Sequence, residues 1–162
     1  MNSNLKKIIE ELVKSEGDKF SEGPQVDEAE WHELNSEMRE KIPNWFIELF
    51  AKYQLSDVNL VLQDETDEEM EYMLEFVHPE SLKDESLEMY PGAAILDHGY
   101  LCIATDPTGG GDAYFINTHE GDDPAVYEIQ HDVGEEAEEI LTYGREKIAD
   151  SLSALFERGQ LD

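Results

Sequence analysis

Residues 93–131 repeat a pattern of short apolar runs separated by turn-forming residues, and this pattern limits the fold more than any other feature. Closely spaced runs joined by turn-type connections predict the strands of a meander-like, mainly antiparallel sheet. The separators are rich in Asp, Gly and Pro, which favour turns. The apolar runs are residues 93–96, 100–105, 112–117 and 126–131, and the separators are 97–99, 106–111 and 120–124.

An earlier pair of runs, 58–62 and 72–77, is separated by a mainly acidic, turn-like stretch at 63–69 and predicts a hairpin. Between this hairpin and the four later runs lies a longer polar connection, residues 78–92, in which we expect a short helix around 82–89.

Helical periodicity brackets the strand-like region on both sides. Apolar residues recur with the i, i+3, i+4 spacing of an amphipathic helix in four segments. Gly159 is predicted to end the last helix in the left-handed conformation. The first segment is 5–13, and the second is a helix capped by Asp27 that carries Trp31, Leu34 and Met38 on one face. The third is an aromatic stripe from Pro43 to Tyr53, and the fourth is a closing helix from Arg145 to Phe156.

Helices, then strands, then a helix predict an α+β fold and not alternating βαβ units. The 162 residues fit one domain, residues 1–162, with a sheet of about four to six strands flanked by the N-terminal helices and the C-terminal helix. The residues predicted to form its core are Trp45, Phe46, Leu49, Phe50, Ile103, Phe115, Val126, Leu152 and Phe156.

Acidic residues dominate the charge, with 40 Asp and Glu against 11 Lys and Arg, a formal net charge of −29. Between Lys52 and Arg145 there are 24 acids and a single base, Lys83. Such a charge excludes unassisted binding to nucleic acid or to an anionic membrane. General solubility, adaptation to high salt and attraction of a basic partner all remain open as its purpose, and the clustering in mid-chain favours the last.

Four segments in the second half occur in a recognisable order. They are Ile103–Asp106, a Gly-Gly-Asp turn leading into an aromatic strand at 110–116, a Val-Tyr strand ending near His131-Asp132, and the final segment 148–156. This order resembles the SUKH superfamily, which includes the Smi/Knr proteins, named for yeast regulators of cell-wall assembly and glucan synthesis. Residues 42–53 also look like that family's N-terminal helix, and the resemblance covers about residues 27–157.

The resemblance implies a central sheet flanked by helices and a binding role. Bacterial members resemble immunity proteins that neutralise a toxin domain, often a nuclease, of a polymorphic toxin or contact-dependent inhibition system. The alternative it implies is a regulatory scaffold of the Smi/Knr type with several partners, and an uncharacterised enzyme is a distant third. A signal-like segment and a long apolar stretch are both absent from the sequence, so we expect a cytoplasmic protein.

Patterns that would indicate catalysis or a cofactor are missing. The acids around Gly109–Gly111 lack the spacing of a Ca²⁺ loop, and these glycines lack the Lys-Ser/Thr of a phosphate loop. The five histidines show no metal-ligand spacing, and Cys102 lies in an apolar run. We therefore expect no enzyme activity, no metal and no cofactor.

The partner predicted by this charge distribution is a protein, namely a basic toxin domain. Carboxylates on turns at the sheet edge would occupy the positions that phosphates take in such a toxin's groove, and they would act mainly by accelerating encounter. The predicted partner-binding residues are Asp64, Glu65, Asp67, Glu68, Glu69, Glu71, Glu120, Asp122, Asp123, Glu135, Glu136, Glu138 and Glu139.

Overall fold

The computed structural model of the chain describes residues 1–20 and 25–162. In this part of the chain, short 3₁₀ and π-helical turns connect seven α-helices and seven strands. The helices are α1 (Ser3–Glu16), α2 (Glu28–Glu37), α3 (Asn44–Tyr53), α4 (Pro79–Lys83), α5 (Gly92–Ile95), α6 (Ala137–Tyr143) and α7 (Leu152–Arg158), and the strands are β1 (Asn59–Gln63), β2 (Glu71–Phe76), β3 (Tyr100–Thr105), β4 (Ala113–Asn117), β5 (Val126–Ile129), β6 (Arg145–Ala149) and β7 (Gln160–Leu161).

The strands form one antiparallel sheet in the order β6-β5-β4-β3-β2-β1-β7. Strands β1 to β6 follow one another as a meander, and the short β7 adds to the outer edge of β1. The chain therefore folds as α+β, as the sequence predicts. The sheet exceeds the predicted four to six strands because β6 and β7 are added to its two edges.

Aromatic rings join the helices to the sheet. Phe76 of β2 stacks on Phe156 of α7 with ring centroids 5.3 Å apart, and it meets Phe50 of α3 edge-on at 6.2 Å. Trp31 of α2 packs edge-on against Phe46 and Phe50. The predicted core residues are buried, except that Trp45 is partly exposed at the rim of the same cluster.

The segment 93–96, predicted as a strand, is helical instead. Residues Gly92–Ile95 form α5 and Leu96–His98 a 3₁₀ turn. A Cβ atom on Gly92 would lie 1.7 Å from the backbone oxygen of Glu85, so the start of α5 packs directly on the preceding π-helical turn, Asp84–Glu88. Short apolar runs fit a buried helix as well as a strand, and periodicity does not separate the two.

The closing helix is also shorter than predicted. Arg145–Ala149 is strand β6, paired with β5, and the helix begins only at Leu152. The Ser151 hydroxyl accepts a hydrogen bond from the Ala154 backbone N–H at 3.0 Å and so sets the start of α7.

Gly159 was expected in the left-handed conformation but is extended, with φ −74° and ψ 161°. A Cβ atom there would lie 2.5 Å from Leu60 Cδ2, so glycine is required for close packing on β1 rather than for positive φ. Among the described residues, no helix is long and apolar enough to cross a membrane.

Candidate protein-binding surface

The antiparallel pairing determines at which end of the sheet each acidic connection lies. Strands β1, β3 and β5 finish at one end, which we call the acidic end, and it carries the connections 64–70, 106–112 and 130–144. The β1–β2 hairpin projects beyond β3, because Thr105 at the end of β3 pairs with Glu75 near the far end of β2. The connection 118–125 lies at the opposite end.

The predicted binding residues are thus divided between the two ends. The acidic turn, residues 64–71, and the acidic helix segment, residues 135–139, share the acidic end. Glu120, Asp122 and Asp123 lie at the other end. A single small partner docked at the acidic end would not contact these three residues directly.

Asp64 holds the acidic turn together from within. Its Oδ1 accepts hydrogen bonds from the Thr66 backbone N–H and hydroxyl, each at 2.8 Å, and from the Asp67 N–H at 3.2 Å. Its Oδ2 accepts from the Tyr72 hydroxyl at 2.8 Å. The bonds from Thr66, with that from Tyr72, lower the pKa of Asp64 to about 2, so this carboxylate stays ionised. Asp64 is therefore committed to the turn's own structure.

Arg158 ties the acidic turn to helix α7. Its guanidinium donates to the Gln63 backbone oxygen at 3.1 Å and pairs with the Glu65 carboxylate at 3.1 Å. An arginine can hold a carbonyl and a carboxylate together because its donors form a planar fork. Glu65 is thus partly neutralised within the protein and contributes less free negative charge than its neighbours.

The remaining carboxylates of the acidic turn point to solvent. Asp67 accepts a hydrogen bond from the Glu69 backbone N–H at 3.0 Å. Glu68, Glu69 and Glu71 are exposed, and none of their carboxylates takes part in a hydrogen bond or ion pair within the described residues. These three side chains are free to meet a partner.

The acidic helix segment adds more exposed carboxylates at the same end. Glu136 precedes α6 without capping it, while Glu138 and Glu139 lie in its first turn. Ile140 on the inner side of the same helix is fully buried, which holds the acidic residues outward. Tyr143, at the end of α6, is 76% exposed and gives this surface an aromatic side chain.

Further negative charge lies between these two segments. Glu128 of β5 is directly opposite Glu146 of β6, and it bonds to the Tyr114 hydroxyl. Partial burial, with Asp112 and Glu146 nearby, raises the pKa of Glu128. The Asp112 carboxylate forms a hydrogen bond with the His131 imidazole and raises the pKa of that imidazole. The acidic end thus has a continuous excess of negative charge across the sheet.

The acids at the opposite end mainly stabilise local structure. Glu120 accepts hydrogen bonds from the Ala125 N–H at 3.2 Å and the Tyr127 hydroxyl at 2.8 Å. Asp123 accepts from the Ser153 N–H at 2.9 Å and hydroxyl at 2.6 Å, which fastens this loop to the start of α7. Of the three predicted binding residues at this end, Asp122 alone accepts no hydrogen bond from another described residue, and it is partly buried.

The glycine turn, residues 106–112, forms its bonds within the protein. Asp106 Oδ1 accepts from the Thr108 N–H and hydroxyl, and Gly109 has φ 78°. Within the described ranges, no group of three or more His, Cys, Asp or Glu side chains is placed to hold a metal ion. Cys102 is fully buried, and burial raises the pKa of its thiol, which disfavours the nucleophilic thiolate.

Two residues that organise the surface were missed at the sequence level, Tyr72 and Arg158. Arg158 carried a usable signal, since it is one of few bases and lies in the last turn of the last helix, but its acceptor Gln63 is 95 residues away. Tyr72 was assigned to a strand, but nothing in the sequence shows that its hydroxyl reaches back to Asp64 across the hairpin.

Comparison with models of known protein families gives a match over most of the chain. The model of the SMI1 / KNR4 family (SUKH-1) matches residues 25–158, which include every strand from β1 to β6 and both acidic segments. No curated protein and no solved structure matches the chain.

Proposed function

We propose that this chain, which belongs to the SMI1/KNR4 family (SUKH-1), is an immunity protein that neutralises a basic toxin domain in the cytoplasm. The family is non-enzymatic and consists of immunity and regulatory proteins that bind other proteins. The observation that carries this proposal is the group of exposed carboxylates at the acidic end. They are Glu68, Glu69 and Glu71 on the acidic turn, with Glu135, Glu136, Glu138 and Glu139 on the acidic helix segment.

The charge of these side chains fits a nuclease-type toxin. A nuclease attracts phosphates with Lys and Arg, so a surface that presents carboxylates in their place competes for the same groove. Clustered charges accelerate encounter, with association rates up to about 10⁸–10⁹ M⁻¹s⁻¹ at low salt against about 10⁵–10⁶ M⁻¹s⁻¹ without steering. At physiological salt, screening acts over about 8 Å, so only the carboxylates near the contact contribute.

The fold supports this use because it separates structural acids from free ones. Asp64, Glu120 and Asp123 are occupied by hydrogen bonds inside the protein. Asp64 and Glu65 shape the acidic turn, and in our proposal they support the binding surface without forming most of its contacts.

The first step of the test is to read the neighbouring gene, since a long secreted protein with a toxin-like C-terminal domain there is the expected partner. That domain is then purified for binding measurements. We expect the triple variant Glu68→Gln, Glu69→Gln and Glu71→Gln to associate at least tenfold more slowly at low salt, with a weaker dependence of the rate on salt. The matched control neutralises Glu11, Glu30 and Glu33, which are exposed on α1 and α2 and belong to neither acidic segment.

Two results would decide against the proposal. Equal association rates for the triple variant and the control would show that the acidic turn does not recognise the toxin. Failure of the wild-type protein to bind or inhibit that domain, or capture of several unrelated partners, would favour the regulatory role instead.

A further inference from the structure

A groove near the acidic end is not used by the surface described so far. Its volume is about 470 Å³, and it lies between the segment 81–91 and the glycine turn. Two neighbouring side chains at its border, Met89 and Tyr90, are 51% and 50% exposed, although few large hydrophobic residues are exposed in the described chain. Exposed apolar side chains beside a groove mark a binding site more often than scattered ones do.

The groove also contains a carboxylate without a counter-ion. Glu85 lines it and is about half buried, and burial together with Asp84 raises its pKa. Lys83, the nearest base in the sequence, pairs instead with Glu37 on α2 at 3.4 Å. None of the ion pairs among the described residues includes Glu85. A cation supplied from outside would relieve the unfavourable burial of this charge.

The opposite wall supplies a second acid and open backbone. Asp106 lines the groove, and a Cβ atom on Gly111 would lie 2.0 Å from its Oδ2, so only glycine there leaves this carboxylate in place. Gly109 and Gly110 have open space where a side chain would be. An extended chain can therefore approach this wall closely.

We propose that the groove receives an arginine side chain from an extended segment of a protein partner. The guanidinium would pair with Glu85 and Asp106, and its aliphatic stem would pack on Met89 and Tyr90. Arginine fits better than lysine because a planar guanidinium both pairs with carboxylates and stacks on an aromatic ring. The inference rests on the proposed function only in taking the arginine to belong to a protein partner.

The experiment titrates the full-length, ¹⁵N-labelled protein with the peptide acetyl-Gly-Arg-Gly-amide and follows backbone amide signals. We expect saturable shifts confined to the groove, including Met89, Gly109–Gly111 and Ala113. The matched peptide with citrulline, which has the same shape without the charge, should give no saturable shifts. The lysine peptide should bind more weakly than the arginine peptide.

Two variants separate a specific site from general attraction to an acidic protein. We expect Glu85→Gln to weaken the arginine peptide about tenfold or more, and Tyr90→Ala to weaken it severalfold. The control Glu88→Gln removes the same charge from an exposed neighbour that does not line the groove, and it should retain binding. Shifts scattered over the surface, or equal effects of Glu85→Gln and Glu88→Gln, would overturn the proposal.

The outcome is distinguishable from that of the toxin experiment. If the arginine peptide occupies the groove while the toxin-like domain does not bind the protein, the proposal of an arginine-binding groove is supported and the proposed immunity role is contradicted. If the toxin-like domain binds the Glu85→Gln variant as tightly as wild type and the peptide gives no saturable shift, the proposal of an arginine-binding groove is contradicted and the proposed immunity role is supported.

Discussion

Phe115 gives the most direct measure of how the core is packed. It lies on β4, the third strand from one edge of the sheet, pairs across to Cys102 and Tyr127, and is fully buried. A buried aromatic side chain removes about 150–250 Å² from water, which at about 25 cal/mol/Å² corresponds to roughly 4–6 kcal/mol as an upper bound. Phe→Ala substitutions in cores cost about 3–5 kcal/mol, so we expect Phe115→Ala to lose a similar amount.

The assay is urea unfolding at pH 7, followed by tryptophan fluorescence and by circular dichroism. Trp31 is fully buried, so its emission should change on unfolding. The control is Tyr143→Ala, because Tyr143 is 76% exposed, and its effect should stay within about 0.5 kcal/mol. A loss below about 1 kcal/mol for Phe115→Ala, with an unchanged dependence on urea, would refute the packing described for the centre of the sheet.

Two further predictions concern charge. The folded-state pKa of Asp64 is about 2, below its ordinary value, so its contribution to stability is present above about pH 4 and is lost as the pH falls toward 2. Asp64→Asn should therefore lower the urea midpoint at pH 7 and differ less from wild type at pH 3. The control Glu68→Gln changes an exposed carboxylate that accepts no hydrogen bond among the described residues, and its urea midpoint at pH 7 should stay close to that of wild type. A difference between Asp64→Asn and wild type that is equal at pH 7 and pH 3 would contradict this. The second prediction concerns the net charge of −29, whose self-repulsion destabilises the folded state. Raising NaCl from 10 to 150 mM shortens the screening length from about 30 to about 8 Å, so the melting temperature should rise. A fall in the melting temperature measured by calorimetry would contradict this prediction.

Residues whose partners are close in sequence were predicted well. The N-cap of α2 is an example, because Asp27 accepts a hydrogen bond from the Glu30 N–H only three residues later. Helix α3 and the β1–β2 hairpin were also found, since the aromatic spacing of α3 and the two apolar runs of the hairpin are patterns within short stretches of sequence. The family resemblance was confirmed over nearly the same residues as predicted.

Elements decided by distant partners were not predicted correctly. The segment Arg145–Ala149 has no strand pattern of its own, and it becomes β6 because β5 offers it a free edge. The structural use of acids follows the same rule. Asp123 and Glu120 are ordinary acids in the sequence. The hydroxyl groups that donate hydrogen bonds to their carboxylates, those of Ser153 and Tyr127 respectively, are brought to them only in the folded chain.

The placement of residues 93–96 has a consequence for binding as well as for the fold. In an antiparallel meander each strand carries the chain from one end of the sheet to the other. Four strands, β2 to β5, separate the acidic turn from the acidic helix segment, so an even number of passes returns the chain to the same end. Had residues 93–96 formed a fifth intervening strand, the two segments would lie at opposite ends, and one partner could not meet both. Instead, this segment is helical, and Gly92 at its start packs directly on the backbone of Glu85. Because residues 93–96 are helical, the number of intervening strands stays even and both acidic segments lie at one end. The chain just before this helix carries Glu85, Met89 and Tyr90, which line the groove beside that end.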